Sequence, residues 1–235
     1  MIVSIHQPSY FPWLGWLHKV NSSDVFVLLD EVQLADRAYQ HRNLFLTNDG
    51  KEKMLTVTIK KKGYRELPLK DIELNTEVDW QKDHLNFLKN NYAKHPFYND
   101  IMEKVMPIYE KEYATLGGVL YDVTVISMEL FGITTKLLRQ SELEYDRAAK
   151  KSDLMLELSL ASGCRTYLSG QGAKEYMDED AFGQKGVNVI YQQFSHPKYV
   201  QMNTGDPSNF VIGMNALDVL FNIGADRAKE LLNGI

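Results

Sequence analysis

The sequence predicts an α/β fold on a parallel sheet, and three observations carry that expectation. Ile2, Val3, Ser4 and Ile5 form a short β-branched run with no polar alternation, which suits a strand buried on both faces. The first thirty-three residues, Met1 to Gln33, then read in the order strand, turn, helix, strand, Asp, which opens a βαβ unit. From Thr134 onward, short apolar strands again alternate with helical periodicity.

Each element has its own justification. His6-Gln7-Pro8 ends the first strand, because Pro8 donates no hydrogen bond and restricts Gln7 to an extended or turn conformation. Trp13 to Val20 reads as a short apolar helix, and Val25 to Leu29 as a second buried strand ending at Asp30. The polar segment Glu31 to Asn43, with two arginines, two glutamines and His41, reads as a binding loop. Leu44 to Leu46 and Met54 to Ile59 flank the turn Thr47-Asn48-Asp49-Gly50, a hairpin signal, with Leu55, Val57 and Ile59 on one face. Helices follow over Trp80 to Tyr92, Tyr98 to Glu112 with an interruption near Pro107, and Leu116 to Phe131. They make residues 75–131 a helical subdomain or lid, closed by Gly132 as a C-cap.

Thr134 to Leu138 returns as a strand, Arg147 to Ser162 as a helix, and Thr166 to Leu168 as a strand running into Ser169-Gly170-Gln171-Gly172. A helix is expected from Ala173 to Asp178, and a strand over Val187 to Tyr191. The polar-aromatic loop Gln192 to Gln201 comes next, then closing helices over Asn215 to Phe221 and Asp226 to Leu232. The whole is one domain over 1–235: a Rossmann-like parallel-sheet core, a β-hairpin insertion and a helical middle subdomain.

Charge and composition narrow the function. A net charge of −5 argues against broad nucleic-acid binding, and Lys60-Lys61-Lys62 with Arg65 is too short to reverse it. One cysteine, Cys164, excludes an intrachain disulfide framework and fits a reducing compartment. No apolar run reaches the roughly 18 residues needed to span a bilayer, and the N-terminal segment reads as a strand rather than a signal peptide. A cytoplasmic protein with neither nucleic-acid nor membrane partners is expected.

Four constellations carry chemistry. In parallel sheets ligands collect beyond the carboxyl ends of the strands, where His6, Gln7, Asp30 and Gln33 are expected. A histidine there donates to a phosphate or acts as acid or base near neutral pH; a plain turn cap is the simpler role. Arg37, His41, Arg42 and Asn43 suit carboxylate or phosphate recognition, and an ordinary solvated loop explains them equally. Ser169-Gly170-Gln171-Gly172 between strand and helix offers backbone N–H groups to an anion but lacks the spacing of the P-loop or the dinucleotide fingerprint, and an ordinary tight βα turn explains it nearly as well. Ser195-His196-Pro197-Lys198-Tyr199 with Gln201 places a second histidine at the same predicted sheet edge, where His6 and His196 could face one cleft; a structural loop histidine explains it equally. Cys164 reads as a small core residue rather than a nucleophile. Trp13, Trp16 and Trp80 read as core, and His18 and His84 as packing or surface residues. No histidine or carboxylate pair shows metal-ligand spacing.

The run Ile5-His6-Gln7-Pro8-Ser9-Tyr10-Phe11-Pro12-Trp13-Leu14-Gly15 resembles the N-terminal signature of the bacterial WbqC-like family. The resemblance continues through Asp24 to Asp30, Val32-Gln33, Gln40 to Asn43, Thr166 to Tyr176, His196 to Tyr199 with Gln201, and Asn215 to Asn222. It departs at Ile212 to Asn215, where a histidine-serine pair is expected. The resemblance implies work on surface polysaccharides such as O-antigen: an acyl- or aminoacyltransferase forming an amide on a nucleotide-linked amino-sugar. His6, His196 and Asp30 are then the expected catalytic residues. Gln7, Gln33, Arg37, His41, Arg42, Asn43, Ser169, Gly170, Tyr176, Tyr199 and Gln201 are the expected substrate ligands. A thioester of coenzyme A or of an acyl or peptidyl carrier protein is one expected donor. One alternative is a ligase or nucleotidyltransferase using ATP and magnesium, because a histidine after the first strand also resembles the HIGH-type α/β enzymes. Another is a non-catalytic module that binds sugar nucleotides or carrier proteins.

Overall fold

β-Branched Ile2, Val3 and Ile5 form β1 (Ile2–His6), the central strand of an all-parallel sheet in the structure, a computed structural model describing residues 1–36 and 38–235. Arg37, one of the loop cations expected at the site, lies outside the described residues. After β1 come α1 (Leu14–Asn21) and β2 (Val25–Leu28), which pairs with β1 in the register Val3↔Val25 to His6↔Leu28. An antiparallel hairpin of β3 (Arg42–Leu46) and β4 (Glu52–Thr56) follows. Then come α2 (Trp80–Tyr92), α3 (Tyr98–Glu110) and α4 (Leu116–Leu130). The chain returns through β5 (Lys136–Arg139) beside β2, α5 (Ser152–Ala161), β6 (Thr166–Ser169) beside β1, α6 (Glu179–Gln184), β7 (Asn188–Tyr191) and α7 (Ala216–Asn233).

The sheet order is β5-β2-β1-β6-β7. The chain first builds outward from β1 through β2 to β5, then crosses back to lay β6 on the other side of β1. Direction reverses between β1 and β6, the position at which open α/β sheets form a ligand crevice.

Strand alternation assigns the two faces. Val3, Ile5, Val25 and Val27 pack with Leu156, Leu158, Tyr167 and Phe182 on the α5–α6 face. Phe26 and Leu28 meet Leu14, Trp16, Leu17 and Val20 of α1 and Leu217, Leu220 and Phe221 of α7 on the other. That second core continues without a break into the hairpin and the middle helices through Phe45, Leu55, Trp80, Leu88, Val105 and Val119.

Several boundaries differ from the sequence expectation. α3 runs unbroken through Pro107, so the proline removes one hydrogen bond without ending the helix. α5 starts five residues later than expected, because Lys151 takes a positive φ of 54° just before it. The helix expected from Ala173 is a single 3-10 turn, Gln171–Ala173, and α6 begins at Glu179 behind its N-cap Asp178, whose carboxylate accepts from Ala181 N–H. The two closing helices meet at Gly224, whose φ of 76° and ψ of 168° break the helical path. A Cβ there would come within 2.8 Å of the Phe97 ring.

Candidate functional site

β1 delivers His6 to the carboxyl edge of the sheet, and Pro8 turns the chain away immediately after it. There a cavity of about 510 Å³ opens across the β1–β6 reversal. His6 lines it at the end of β1 with Gln7 just beyond, Ser169 at the end of β6 with Gly170 just beyond, and Lys19 from α1; Lys151 lines it just before α5, Leu154 and Met155 from α5 itself, and Tyr167 and Tyr176 complete the aromatic wall. Among the described residues lining it there is no aspartate or glutamate. In a chain of net charge −5, that is a local reversal of sign.

Lys19 is the residue that the sequence reading missed. The residue is only 4% exposed, and its ammonium donates to the Ile5 carbonyl at 2.9 Å. Among the described residues it forms no ion pair. Burial lowers its pKa from 10.5 to about 8, so at pH 7 it remains a cation held largely away from water. The available signal was a lysine in a helix whose neighbours Leu14, Trp16, Leu17 and Val20 are all apolar and buried.

The His6 tautomer follows from its partner. Nδ1 lies 2.9 Å from the Gln7 carbonyl oxygen, which only accepts, so Nδ1 carries the proton and Nε2 keeps a free lone pair. Desolvation, and next the Lys19 charge, lower the pKa to about 4, while the Gln7 hydrogen bond opposes them. His6 is exposed where it lines the cavity. The direction is unaffected: the imidazole is neutral at pH 7. The same Gln7 carbonyl accepts from Trp16 Nε1 at 2.9 Å, and the Gln7 side-chain oxygen accepts from Gln40 Nε2 at 2.9 Å, fixing the strand end to α1 and to the polar loop.

The other expected residues divide clearly. Asp30 is not beside His6: both its carboxylate oxygens are used on Ser141, from the backbone N–H at 2.9 Å and the hydroxyl at 2.6 Å. It clasps the segment after β5 to the end of β2. Gln33 donates to the Arg65 carbonyl at 3.0 Å. Asn43 is buried and donates to the carbonyls of Tyr10 and Phe11, both at 2.9 Å, holding Phe11 at its positive φ of 47°. It is a clamp on the signature turn. Arg42 donates through Nε to the Ala38 carbonyl at 3.2 Å, and His41 is half-buried, its pKa lowered to about 4 by desolvation and the Arg42 charge.

His196 lies apart from the cavity that His6 lines. It stacks on Trp13 at a centroid distance of 6.3 Å; its Nδ1 pairs with the Pro197 carbonyl at 2.9 Å, and its Nε2 accepts from Gly213 N–H at 3.2 Å. With both ring nitrogens engaged it braces the loop. Its stacking partner Trp13, expected in the core, is 40% exposed, whereas Trp16 and Trp80 are buried. Tyr199 and Gln201 also belong elsewhere. The Tyr199 hydroxyl donates to Asp218 at 2.7 Å, and Gln201 bridges Tyr199 and Val211. Tyr92 donates to the other Asp218 oxygen at 3.0 Å. Burial raises the Asp218 pKa to about 6 against these hydrogen bonds, so this is a buried polar bracket between α2, α7 and the loop.

Ser169, Gly170 and Tyr176 line the cavity, but the turn does not need its glycines. Gly170 has an ordinary φ of −76°, and a Cβ on Gly170 or Gly172 would meet nothing within 4 Å. No helix of useful length starts there, so the turn supplies no helix dipole. The cations of this site come from side chains. Cys164 is buried with its pKa raised by desolvation, in keeping with a core residue.

Among the described residues no helix is long and apolar enough to cross a membrane. A protein from Mycobacterium tuberculosis, the uncharacterized protein Rv1507c, is 27% identical to this chain over 231 residues, 97% of the chain and 96% of that protein. No solved structure matches the chain. A family model, described as the WbqC-like protein family, matches residues 7–230.

Proposed function

The chain belongs to the WbqC-like protein family, and on that premise we propose that it is an acyl- or aminoacyltransferase acting on the amine of a nucleotide-linked amino-sugar. The observation that carries this reading is the charge of the switch-point cavity. A buried lysine with no carboxylate partner among the described residues sits with a neutral histidine, and the cavity's described lining residues include no acid. A phosphorylated substrate supplies the anion that Lys19 lacks, and the backbone of Ser169-Gly170 lies on the same wall.

In the proposed reaction the sugar amine attacks the carbonyl of a coenzyme A or carrier-protein thioester. The C–N bond forms, the C–S bond breaks, and the thiolate leaves. His6 Nε2 takes the proton from the nitrogen as it becomes positively charged, and returns it to the leaving sulfur. An imidazole with lowered pKa is a weak base toward a free ammonium ion. It is adequate toward the far more acidic nitrogen of a tetrahedral adduct, and an anion bound beside Lys19 raises its pKa toward neutrality. Gln7 orients the strand end, and the apolar wall of Leu154 and Met155 shields the carbonyl from water.

The test is thiol release from acetyl-coenzyme A, or from a loaded carrier protein, with uridine-diphosphate amino-sugars as acceptors. Amide product is expected from the wild type, and His6→Gln should lower kcat by about 10²–10⁴-fold with substrate binding retained. Turnover unchanged in His6→Gln would remove the histidine from the mechanism. Magnesium-ATP cleavage with no thiol release would replace acyl transfer with carboxylate activation or nucleotidyl transfer.

A further inference from the structure

We propose that Lys151 is a specificity-determining residue of the same cavity, which with Lys19 makes a site for a diphosphate rather than for a single phosphate. The inference rests on the reading of this cavity as the substrate site and adds the class of anion that it takes.

Lys151 is the residue immediately before α5, and it lines the cavity. Its backbone has φ 54° and ψ −122°, the conformation of the first central residue of a type II′ turn, where glycine is the normal occupant. Phe11 and Lys151 have positive φ among the described non-glycine residues. The Phe11 case has a local explanation, since Asn43 holds both neighbouring carbonyls. Lys151 has no such clamp: among the described residues its side chain forms no ion pair, and α5 receives no side-chain cap from it. The turn itself is closed by the Asp153 N–H on the Lys150 carbonyl at 3.1 Å, which a glycine at 151 would allow without strain, so among the described residues no ion pair or side-chain cap accounts for a lysine there. Strain of this kind collects at ligand clamps.

Placement points to the ligand. Lys19 belongs to α1 on one face of the sheet, while Lys151 precedes α5 on the other. The cavity crosses the carboxyl edge between those faces, with Ser169 at the end of β6 and Gly170 just beyond it. Two cations supplied from both sides of one edge, with no described acid lining the cavity, match an extended anion with charge at two phosphorus centres. Inorganic phosphate needs only the buried ammonium.

The experiment is calorimetric titration of the full chain with inorganic pyrophosphate and with inorganic phosphate, together with melting temperature. Wild-type protein is expected to bind pyrophosphate at least tenfold more tightly than phosphate. Lys151→Gly should raise Tm by several degrees, since the strain is relieved, while weakening pyrophosphate about tenfold and leaving phosphate unchanged. Lys151→Ala should weaken pyrophosphate equally without the rise in Tm, and Lys151→Arg should retain the affinity. Equal binding of the two anions, or pyrophosphate affinity unchanged in both Lys151→Gly and Lys151→Ala, overturns the proposal. Two sources of diphosphate are distinguished by uridine diphosphate and ATP: preference for the former supports a sugar nucleotide, and preference for the latter a nucleoside triphosphate. Retained pyrophosphate selectivity without amide formation would overturn the acyl-transfer reading alone. Amide formation without that selectivity would overturn the role of Lys151 alone.

Discussion

Lys19 holds its position against its own electrostatics. A drop in pKa from 10.5 to about 8 on folding corresponds to roughly 3 kcal/mol of destabilisation, at about 1.4 kcal/mol per unit. The sign follows from proton binding. Between pH 8 and 10.5 the unfolded chain holds more protons at this site, so the penalty is fully present below pH 8 and disappears as pH rises through 10.5. Lys19→Met should therefore stabilise the free protein at pH 7 by about 1–3 kcal/mol in urea titrations, and abolish the rise in Tm that pyrophosphate gives the wild type. A destabilised variant would mean that the hydrogen bond to Ile5 outweighs the buried charge. In the wild type, pyrophosphate affinity should fall above about pH 8, as the free ammonium deprotonates. His6 was legible in the sequence as a strand-end histidine. Asp30 and His196 were named on the same logic, and their lone pairs and protons are used by Ser141, Gly213 and Pro197. Residue type at a strand end therefore finds the edge of the sheet, while hydrogen-bond partners decide which of its residues remain available.

At the scale of elements, the signature after β1 is held by the hairpin rather than by its own conformation. Asn43, at the start of β3, bonds the carbonyls of Tyr10 and Phe11, and its own Oδ1 accepts from Leu44 N–H at 2.8 Å. Asn43→Ala leaves two buried carbonyls without a donor and releases a phenylalanine at φ 47°. The expected loss is about 2–3 kcal/mol by chemical denaturation, with proteolytic opening of the segment around residue 11 ahead of global unfolding. The hairpin was readable because turn chemistry and strand alternation are local, although its strands run over Arg42–Leu46 and Glu52–Thr56 rather than Leu44–Leu46 and Met54–Ile59. Leu55 and Val57 are buried on one face as their alternation requires. α5 starts five residues later than its apolar face of Leu154, Leu158 and Ala161 suggests, because Lys151 has a backbone conformation that no side-chain periodicity encodes. Pro107 was read as an interruption for the opposite reason: tertiary packing of Ile101, Val105, Ile108 and Tyr109 outweighs the one lost hydrogen bond.

For the whole molecule, two kinds of buried titrating group oppose each other in acid. His84 accepts or donates at Nδ1 with the Tyr10 hydroxyl at 2.8 Å, and burial lowers its pKa to about 4. Between pH 4 and 6.5 the unfolded chain binds the proton that folded His84 refuses, so acid destabilises through this group. Asp218, with its pKa raised to about 6, binds its proton more tightly when folded, so acid stabilises through it over pH 3.8 to 6. Asp218→Asn removes the second effect. Its stability should then fall more steeply than that of the wild type between pH 6 and 4, measured by urea unfolding at half-unit steps. Parallel pH profiles would show that the carboxylate already ionises normally in the folded protein.

The sequence by itself determined the α/β class, the β1–α1–β2 opening, the hairpin, and His6 at a strand end, because each depends on neighbours within a few turns of chain. The same local evidence found Ser169 and Gly170 at the end of β6, though it gave the glycines a role that their backbone does not require. Only the tertiary structure decided that β6 lies against β1 rather than beyond β5, and this reversal makes the cavity. It also brought Lys19 and Lys151 to one edge from 132 positions apart in the chain, and assigned His196, Tyr199 and Gln201 to bracing networks. The physical reason is that strand order and the pairing of buried polar groups are set by contacts between distant segments, which no local periodicity records.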